Sequence, residues 1–220
     1  MQNRKWMRWG VGCLLAGMLA GCANDDYVFP PVKKEFVTVT TDSRGLLDAL
    51  QPDRGDLLPV ENDHTAAVLT PDTVLRMVAN YEVTPEHRAV VYGMARALSP
   101  VPQPRHSKVF EQGIKTDPVQ VESVWMGRGY LNMVLLVKVR TALHYFHFVE
   151  EQAAETGGCL DVTLSLYHDD GGDREGYTQR VYASVPLHHY LQRCPKVSVR
   201  FCYRSEHQTM VEMGPYEYEQ

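Results

Sequence analysis

From Phe36 onward, apolar and polar positions alternate in short runs punctuated by turn residues, which is the period of strands rather than helices. Phe36-Val37-Thr38-Val39-Thr40 is rich in β-formers and predicts a first strand. Leu46 to Leu50 and Asp56 to Val60 flank the turn signal Pro52-Asp53-Arg54-Gly55 and predict a hairpin. Thr70 to Asn80 is ambiguous: Thr70-Pro71-Asp72 is able to open a short helix with Val74, Leu75 and Val78 on one face. Arg88 to Leu98 reads as a strand broken by Gly93. Pro100, Pro102 and Pro104 then impose an extended connection, and Val109 to Lys115 is expected to close the first unit.

The second half is more regular. Val119 to Met126 and Tyr130 to Arg140 are predicted strands joined at Gly127-Arg128-Gly129, a hairpin loop with glycine where positive φ is useful. His144 to Glu150 is another strand, and Gly157-Gly158 turns the chain into Leu160 to His168. There Leu160, Val162, Leu164 and Leu166 point one way while Asp161, Thr163 and Ser165 point the other. Asp169 to Gly176 is a polar turn, followed by strands at Tyr177 to Leu187 and Val197 to Tyr203. Closely spaced strands with few helix-length amphipathic runs argue for an all-β protein ending in a sandwich. The boundary between the two units is expected near Asp117-Pro118, giving domains at 36–117 and 118–220.

The beginning of the chain follows other rules. Arg4, Lys5 and Arg8 precede an apolar run from Trp9 to Leu19, and Leu19-Ala20-Gly21-Cys22 follows. That run is about half the ~20 residues a helix needs to cross a bilayer, so residues 1–21 read as a signal peptide. Leu-Ala-Gly-Cys matches the bacterial lipobox. Cleavage is expected between Gly21 and Cys22, and the Cys22 thiol is expected to carry the lipid. Residues 22–35, with Asn24-Asp25-Asp26 and Pro30-Pro31, read as a lipidated tether. Loss of the three cations takes the formal charge from -5 to -8. An acidic, exported chain is not drawn to nucleic acid by electrostatics, so the expected membrane contact is the lipid anchor itself.

Several segments occur in a familiar order: the lipobox followed by Asp25-Asp26, Phe36-Val37-Thr38-Val39, Arg88-Ala89-Val90-Val91-Tyr92, Tyr130-Leu131-Asn132-Met133 and His144-Tyr145-Phe146-His147. Together they resemble the NigD-like lipoproteins of Bacteroidetes over nearly the whole chain. The resemblance implies an N-terminal OB-like barrel followed by a C-terminal antiparallel β-sandwich. It brings no catalytic residues, and its name comes from a bacteriocin gene cluster. Asp25 and Asp26 also resemble the acidic signal that exports such lipoproteins to the cell surface, which implies an outer-membrane protein facing outward.

Candidate chemistry is sparse. His144 and His147 are three apart, which on a strand puts them on opposite faces, and His188-His189 fails as a chelate for the same reason. Asp169, Asp170, Asp173 and Glu175 are hard oxygen ligands in a glycine-containing loop, but they lack EF-hand spacing and read as a polar hairpin tip. No Gly-x-Ser-x-Gly is present. Of the cysteines after Cys22, Cys159, Cys194 and Cys202 have no CxxC spacing and read as buried thiols, with a Cys194–Cys202 bridge left open. Tyr167, Tyr177, Tyr182, Tyr190 and Tyr203 offer a surface for an envelope protein, peptide or glycan. The reading is therefore a non-enzymatic binding module with no cofactor and no metal. The alternatives are an immunity-like role against a bacteriocin, or a hydrolase whose site is invisible in sequence.

Overall fold

The computed structural model describes residues 31–220 apart from Arg174. Cys22, the Gly21-Cys22 junction, Asp25 and Asp26 lie outside the described residues. Strands β1 (Lys33–Thr41), β2 (Leu47–Pro52), β3 (Leu58–Asp63), β4 (Val74–Val83) and β5 (Ala89–Arg96) close into a barrel in the order β1-β2-β3-β5-β4. The β3–β5 pairing is parallel and the other four are antiparallel, as in an OB-like barrel. Strand alternation sends Val37, Val39, Leu50, Met77, Ala79, Tyr81 and Val91 into its core. On β1 and β4 the opposite face carries Phe36, Thr38, Arg76 and Val78.

In the Thr70–Asn80 segment Pro71-Asp72 is a turn and the chain from Val74 is a strand, not a short helix. Residues 74–83 include three valines, Val74, Val78 and Val83, together with Tyr81, and β4 pairs with β1 on one side and β5 on the other. Two ladders and a buried face outweigh the local helix-opening signal of Thr70-Pro71-Asp72. Strand β1 begins at Lys33, inside the segment expected to be tether.

The remaining strands form the sandwich: β6 (Gln103–Pro104), β7 (Gln120–Gly127), β8 (Tyr130–Val139), β9 (Tyr145–Thr156), β10 (Cys159–Asp169), β11 (Tyr177–Pro186), β12 (Lys196–Arg204) and β13 (Met210–Glu219). One sheet runs β13-β12-β10-β9-β6 and the other β11-β8-β7. Their inner faces bury Leu131, Met133, Leu135, Phe148, Leu164 and Phe201, among others, in one apolar core. Not every pairing is antiparallel, because β10 and β12 run side by side in parallel, as do β6 and β9. The chain leaves β10, crosses to the other sheet as β11, and returns through a single helical turn, α1 (His188–Leu191).

Two expectations about the connections change. Residues 109–115 do not close the barrel: Lys108–Phe110 is a 3₁₀ turn whose Phe110 ring lies 5.5 Å from both His147 and Tyr167 of the sandwich. The barrel ends at Arg96, and the chain from Leu98 onward already pairs with sandwich strands. Strand β13 was not expected. Its glutamates Glu212, Glu217 and Glu219 and the Gly214-Pro215 bulge disguise an edge strand, where charge and proline are common. Among the described residues no helix is long and apolar enough to cross a membrane.

Candidate functional site

Where the barrel meets the sandwich, an apolar patch surrounds a buried guanidinium. Phe36 packs edge-on against Trp125 and Tyr182, with Val78, Ala97 and Val134 beside them. Arg76, whose side chain is 2 % exposed, reaches out of β4 into this patch. Its Nε donates to Ser184 Oγ (2.8 Å), its Nη1 to Thr38 Oγ1 (3.2 Å), and its Nη2 to Asp53 Oδ1 (2.5 Å) and Asn132 Oδ1 (3.1 Å). Asn132 Nδ2 donates to Asp53 Oδ2 (2.6 Å), and Ser184 Oγ donates to Asn132 Oδ1 (2.6 Å). Tyr130 lies under the guanidinium at 4.2 Å. Every polar group in this network has a partner, which makes it a rigid clamp rather than a reactive centre.

At the far end of the sandwich, two histidines form a relay. His168 is 1 % exposed; its Nδ1 lies 3.0 Å from the Asp117 carbonyl and its Nε2 3.0 Å from His144 Nδ1. The carbonyl only accepts, so His168 Nδ1 carries a proton. Burial holds the His168 pKa below the ordinary histidine value, so the ring is neutral and Nε2 accepts from His144 Nδ1–H. His144 Nε2 is buried without a hydrogen-bond partner and faces Asp173 Oδ2 at 3.8 Å. Asp173 Oδ2 in turn accepts the backbone N–H groups of Arg140, Thr141 and Ala142 at 2.6, 2.7 and 2.9 Å. Burial pushes the Asp173 pKa up, but these donors outweigh it and the net shift is downward.

A pH dependence follows from His168. Its folded-state pKa lies below the unfolded value of about 6.5, so below that pH the unfolded chain binds more protons. Stability from this group is fully present above about pH 6.5 and is lost as the pH falls through that value toward the folded-state pKa. Urea unfolding at pH 7.5 and pH 5 should show a lower midpoint at pH 5. His168→Gln, which cannot titrate, should reduce that difference; an unchanged difference would assign the acid sensitivity elsewhere.

The acidic loop does not gather as a four-carboxylate cage. Asp169 and Asp170 meet Asp117, with carboxylate oxygens within 4.8 Å of one another, while Asp173 is engaged by the 140–142 backbone. Lys115 Nζ sits 2.7 Å from Asp169, supplying the positive charge a cation would bring. Asp117 accepts from the Asp170 N–H, Asp169 from the Gly171 N–H, and Asp170 from the Gly172 N–H. These carboxylates are turn and ion-pair groups. A cleft of about 560 Å³ opens beside them, lined by Lys115, Asp117, Lys138, His168 and Arg204.

The five tyrosines do not form one face. Tyr190 is fully buried and donates to Glu150 (2.6 Å), Tyr182 lies under the barrel against Phe36, and Tyr203 stacks on Phe201. Tyr167 packs on Phe110, leaving Tyr177 as the exposed member at 64 %. A Cys194–Cys202 bridge is excluded by geometry. The extended run from Lys196 to Cys202 alone spans about 20 Å, far beyond the Cα separation a disulfide allows. All three described cysteines are free thiols. His144 meets His168 and not His147. That pairing was hidden in sequence because the two partners lie 24 residues apart and approach only when β9 and β10 pair.

Residues 101–214 match the family model of the NigD-like C-terminal beta sandwich domain. The structure also resembles a NigD-like immunity protein from Bacteroides caccae, with 38 % identity, 87 % of this chain and 99 % of that chain covered, and a TM-score of 0.74. This chain belongs to the NigD-like family. A protein of unknown function from Bacteroides vulgatus shares the NigD-like fold at 14 % identity, with 86 % of this chain and 90 % of that chain covered and a TM-score of 0.64. A protein described as toxin related, from Parabacteroides distasonis, does so at 17 % identity, with 86 % and 93 % covered and a TM-score of 0.65. None of these three is described as an enzyme. No curated protein sequence matches the chain.

Proposed function

We propose that this NigD-like chain is a lipid-anchored protein of the outer membrane that acts by binding, in immunity to a bacteriocin. The observation that carries the reading is the similarity to the Bacteroides caccae immunity protein, at 38 % identity over 87 % of the chain. The Leu19-Ala20-Gly21-Cys22 lipobox supports anchoring through Cys22, and Asp25 and Asp26 then serve as the signal that turns the protein outward. Binding is favoured over catalysis because, among the described residues, no Ser, Thr or Cys hydrogen-bonds to a histidine. The hydroxyl–histidine or thiol–histidine pairing that activates such nucleophiles is therefore not formed among them.

Deletion of the gene tests this reading. The deletion strain should become sensitive to bacteriocin-containing supernatants of related strains, and the wild-type chain should restore resistance. Cys22→Ala should leave the membrane fraction and fail to restore it, because the apolar run before it is too short to anchor the chain. Unchanged sensitivity on deletion would remove the immunity role, and a Cys22→Ala chain still in the membrane fraction would remove the lipid anchor.

A further inference from the structure

Strand β11 is bonded to β8 along its whole length, from Tyr177↔Val139 to Pro186↔Tyr130. Its other side is an edge, and the chain leaving the barrel covers only one end of it. Leu98 N–H donates to the Tyr182 carbonyl and Leu98 accepts from the Ser184 N–H, both at 2.8 Å, as a parallel bridge. Strand alternation points the backbone groups of Tyr182 and Ser184 outward, and therefore those of Arg180 and Thr178 as well. Among the described residues, no backbone partner meets Arg180 or Thr178 on that side. Tyr177 to Arg180 are all exposed.

A groove of about 530 Å³ runs beside this open stretch. Its inner wall is apolar, with Val137, Val139, Leu143, Phe146 and Val181. Its lining also carries Arg96 and Arg180 and no carboxylate, in a chain whose formal charge is -5. Arg180 is held by Glu122 at 2.7 Å, whereas Arg96 is exposed and has no ion pair among the described residues. The pairing at Leu98 thus stops at an arginine, with the outward backbone groups of Arg180 and Thr178 still unpaired beyond it.

The geometry points to an extended peptide segment of a partner protein that adds a strand to β11 at Thr178–Tyr182. Alternate residues of that segment are apolar and acidic, and a carboxylate at its leading end faces Arg96. Each element of that description has its own cause. Main-chain pairing follows from the unfilled donors and acceptors of Arg180 and Thr178. Alternation follows because one face of an added strand meets the apolar wall and the other meets the arginines. Leu98 blocks further extension, so the end of the segment stops beside Arg96. A cation there favours a carboxylate over an N-terminal ammonium, so the segment runs parallel to β11, as Leu98 does. The inference rests on the reading of this chain as a binding module and names the surface it uses.

The probe is a dye-labelled seven-residue peptide of alternating valine and glutamate, titrated into the purified full chain and followed by fluorescence anisotropy. One form carries a free C-terminal carboxylate and one a C-terminal amide. Their difference tells whether Arg96 holds the terminus or a side-chain carboxylate; binding of either form supports the proposal. A valine–lysine peptide should bind at least about tenfold more weakly. Arg180→Pro removes the outward N–H and blocks the edge while leaving the β8 ladder intact, and should weaken binding about tenfold. Arg180→Ala, which keeps the N–H but removes one arginine and frees Glu122, should weaken binding less than Arg180→Pro does. Arg96→Glu, which leaves β11 untouched, should also weaken binding about tenfold and decides the matter if Arg180→Pro does not fold.

Equal binding of the lysine peptide, or binding unaffected by Arg96→Glu, overturns the proposal. So does self-association of the chain that Arg180→Pro abolishes, since the edge would then serve a second copy. In the resistance assay, an Arg96→Glu chain that protects cells fully would remove this groove while leaving the immunity role standing. Failure of the wild-type chain to protect would remove that role while leaving the peptide titration to judge the groove.

Discussion

Replacing Arg76 with alanine should cost about 3–5 kcal/mol of folding stability, because it leaves a buried carboxylate without its cation. The Arg76 side chain is 2 % exposed and that of Asp53 is 10 % exposed, so water cannot replace the lost partner. The loss reaches further than one ion pair. Ser184, Asn132 and Thr38 all accept from the same guanidinium, and they come from three different strands. For a folded unit of this size the change corresponds to a fall in midpoint temperature of roughly 10 °C. Arg76→Lys should recover only part of it, since one ammonium cannot copy a planar fork that reaches four acceptors. Gly127→Ala attacks the same clamp from the other side. A Cβ there would lie 2.2 Å from Asp53 Oδ2 and 2.9 Å from Asn132 Nδ2, so Asp53 must leave its place. Urea unfolding followed by far-ultraviolet circular dichroism measures all three variants. A loss below about 1 kcal/mol for Arg76→Ala would show that the junction is held by its apolar patch alone.

A fragment cut at Asp117 should be less stable by several kcal/mol than one cut at Ala97. Both contain β7 to β13, but the residues from 97 to 116 belong physically to the sandwich. Leu98 contributes two 2.8 Å backbone bonds to β11, and Ser99 Oγ donates to the Ser184 carbonyl at 2.7 Å. Gln103 and Pro104 pair with Val149 and Glu150. Phe110 is 6 % exposed, and burying one such side chain is worth about 1.5–3 kcal/mol. Arg105 adds a two-pronged contact to Glu151 at 2.7 Å. The midpoints of urea denaturation of the two fragments should differ accordingly. Equal midpoints would place the physical boundary at Asp117, where the prolines and the change of pattern suggested it.

That contrast shows how far local pattern reaches. Leu160 to His168 was legible as a strand because half its residues are apolar on one face, and that alternation is itself the cause of burial. The hairpins at Pro52–Gly55 and Gly127–Gly129 were legible because turn residues act through their own backbone. At the second, Gly129 does adopt a positive φ of 75°, but Gly127 is needed for room, a reason supplied by a residue 74 positions away. Strand β4 was obscured because its helix-opening signal is local while its two ladders are not.

The sequence alone determined the all-β class, the alternating faces of most strands and the family resemblance. All of these depend on residues near one another in the chain or on their order along it. Only the tertiary structure decided which outward faces became a junction, since nothing around Arg76 announces that Asp53, Asn132 and Ser184 will surround it. It also decided that His144 pairs with His168, that the five tyrosines scatter, and that β11 keeps half of one edge open. Each of these depends on contacts between residues tens of positions apart, and such contacts exist only after the strands have chosen their partners.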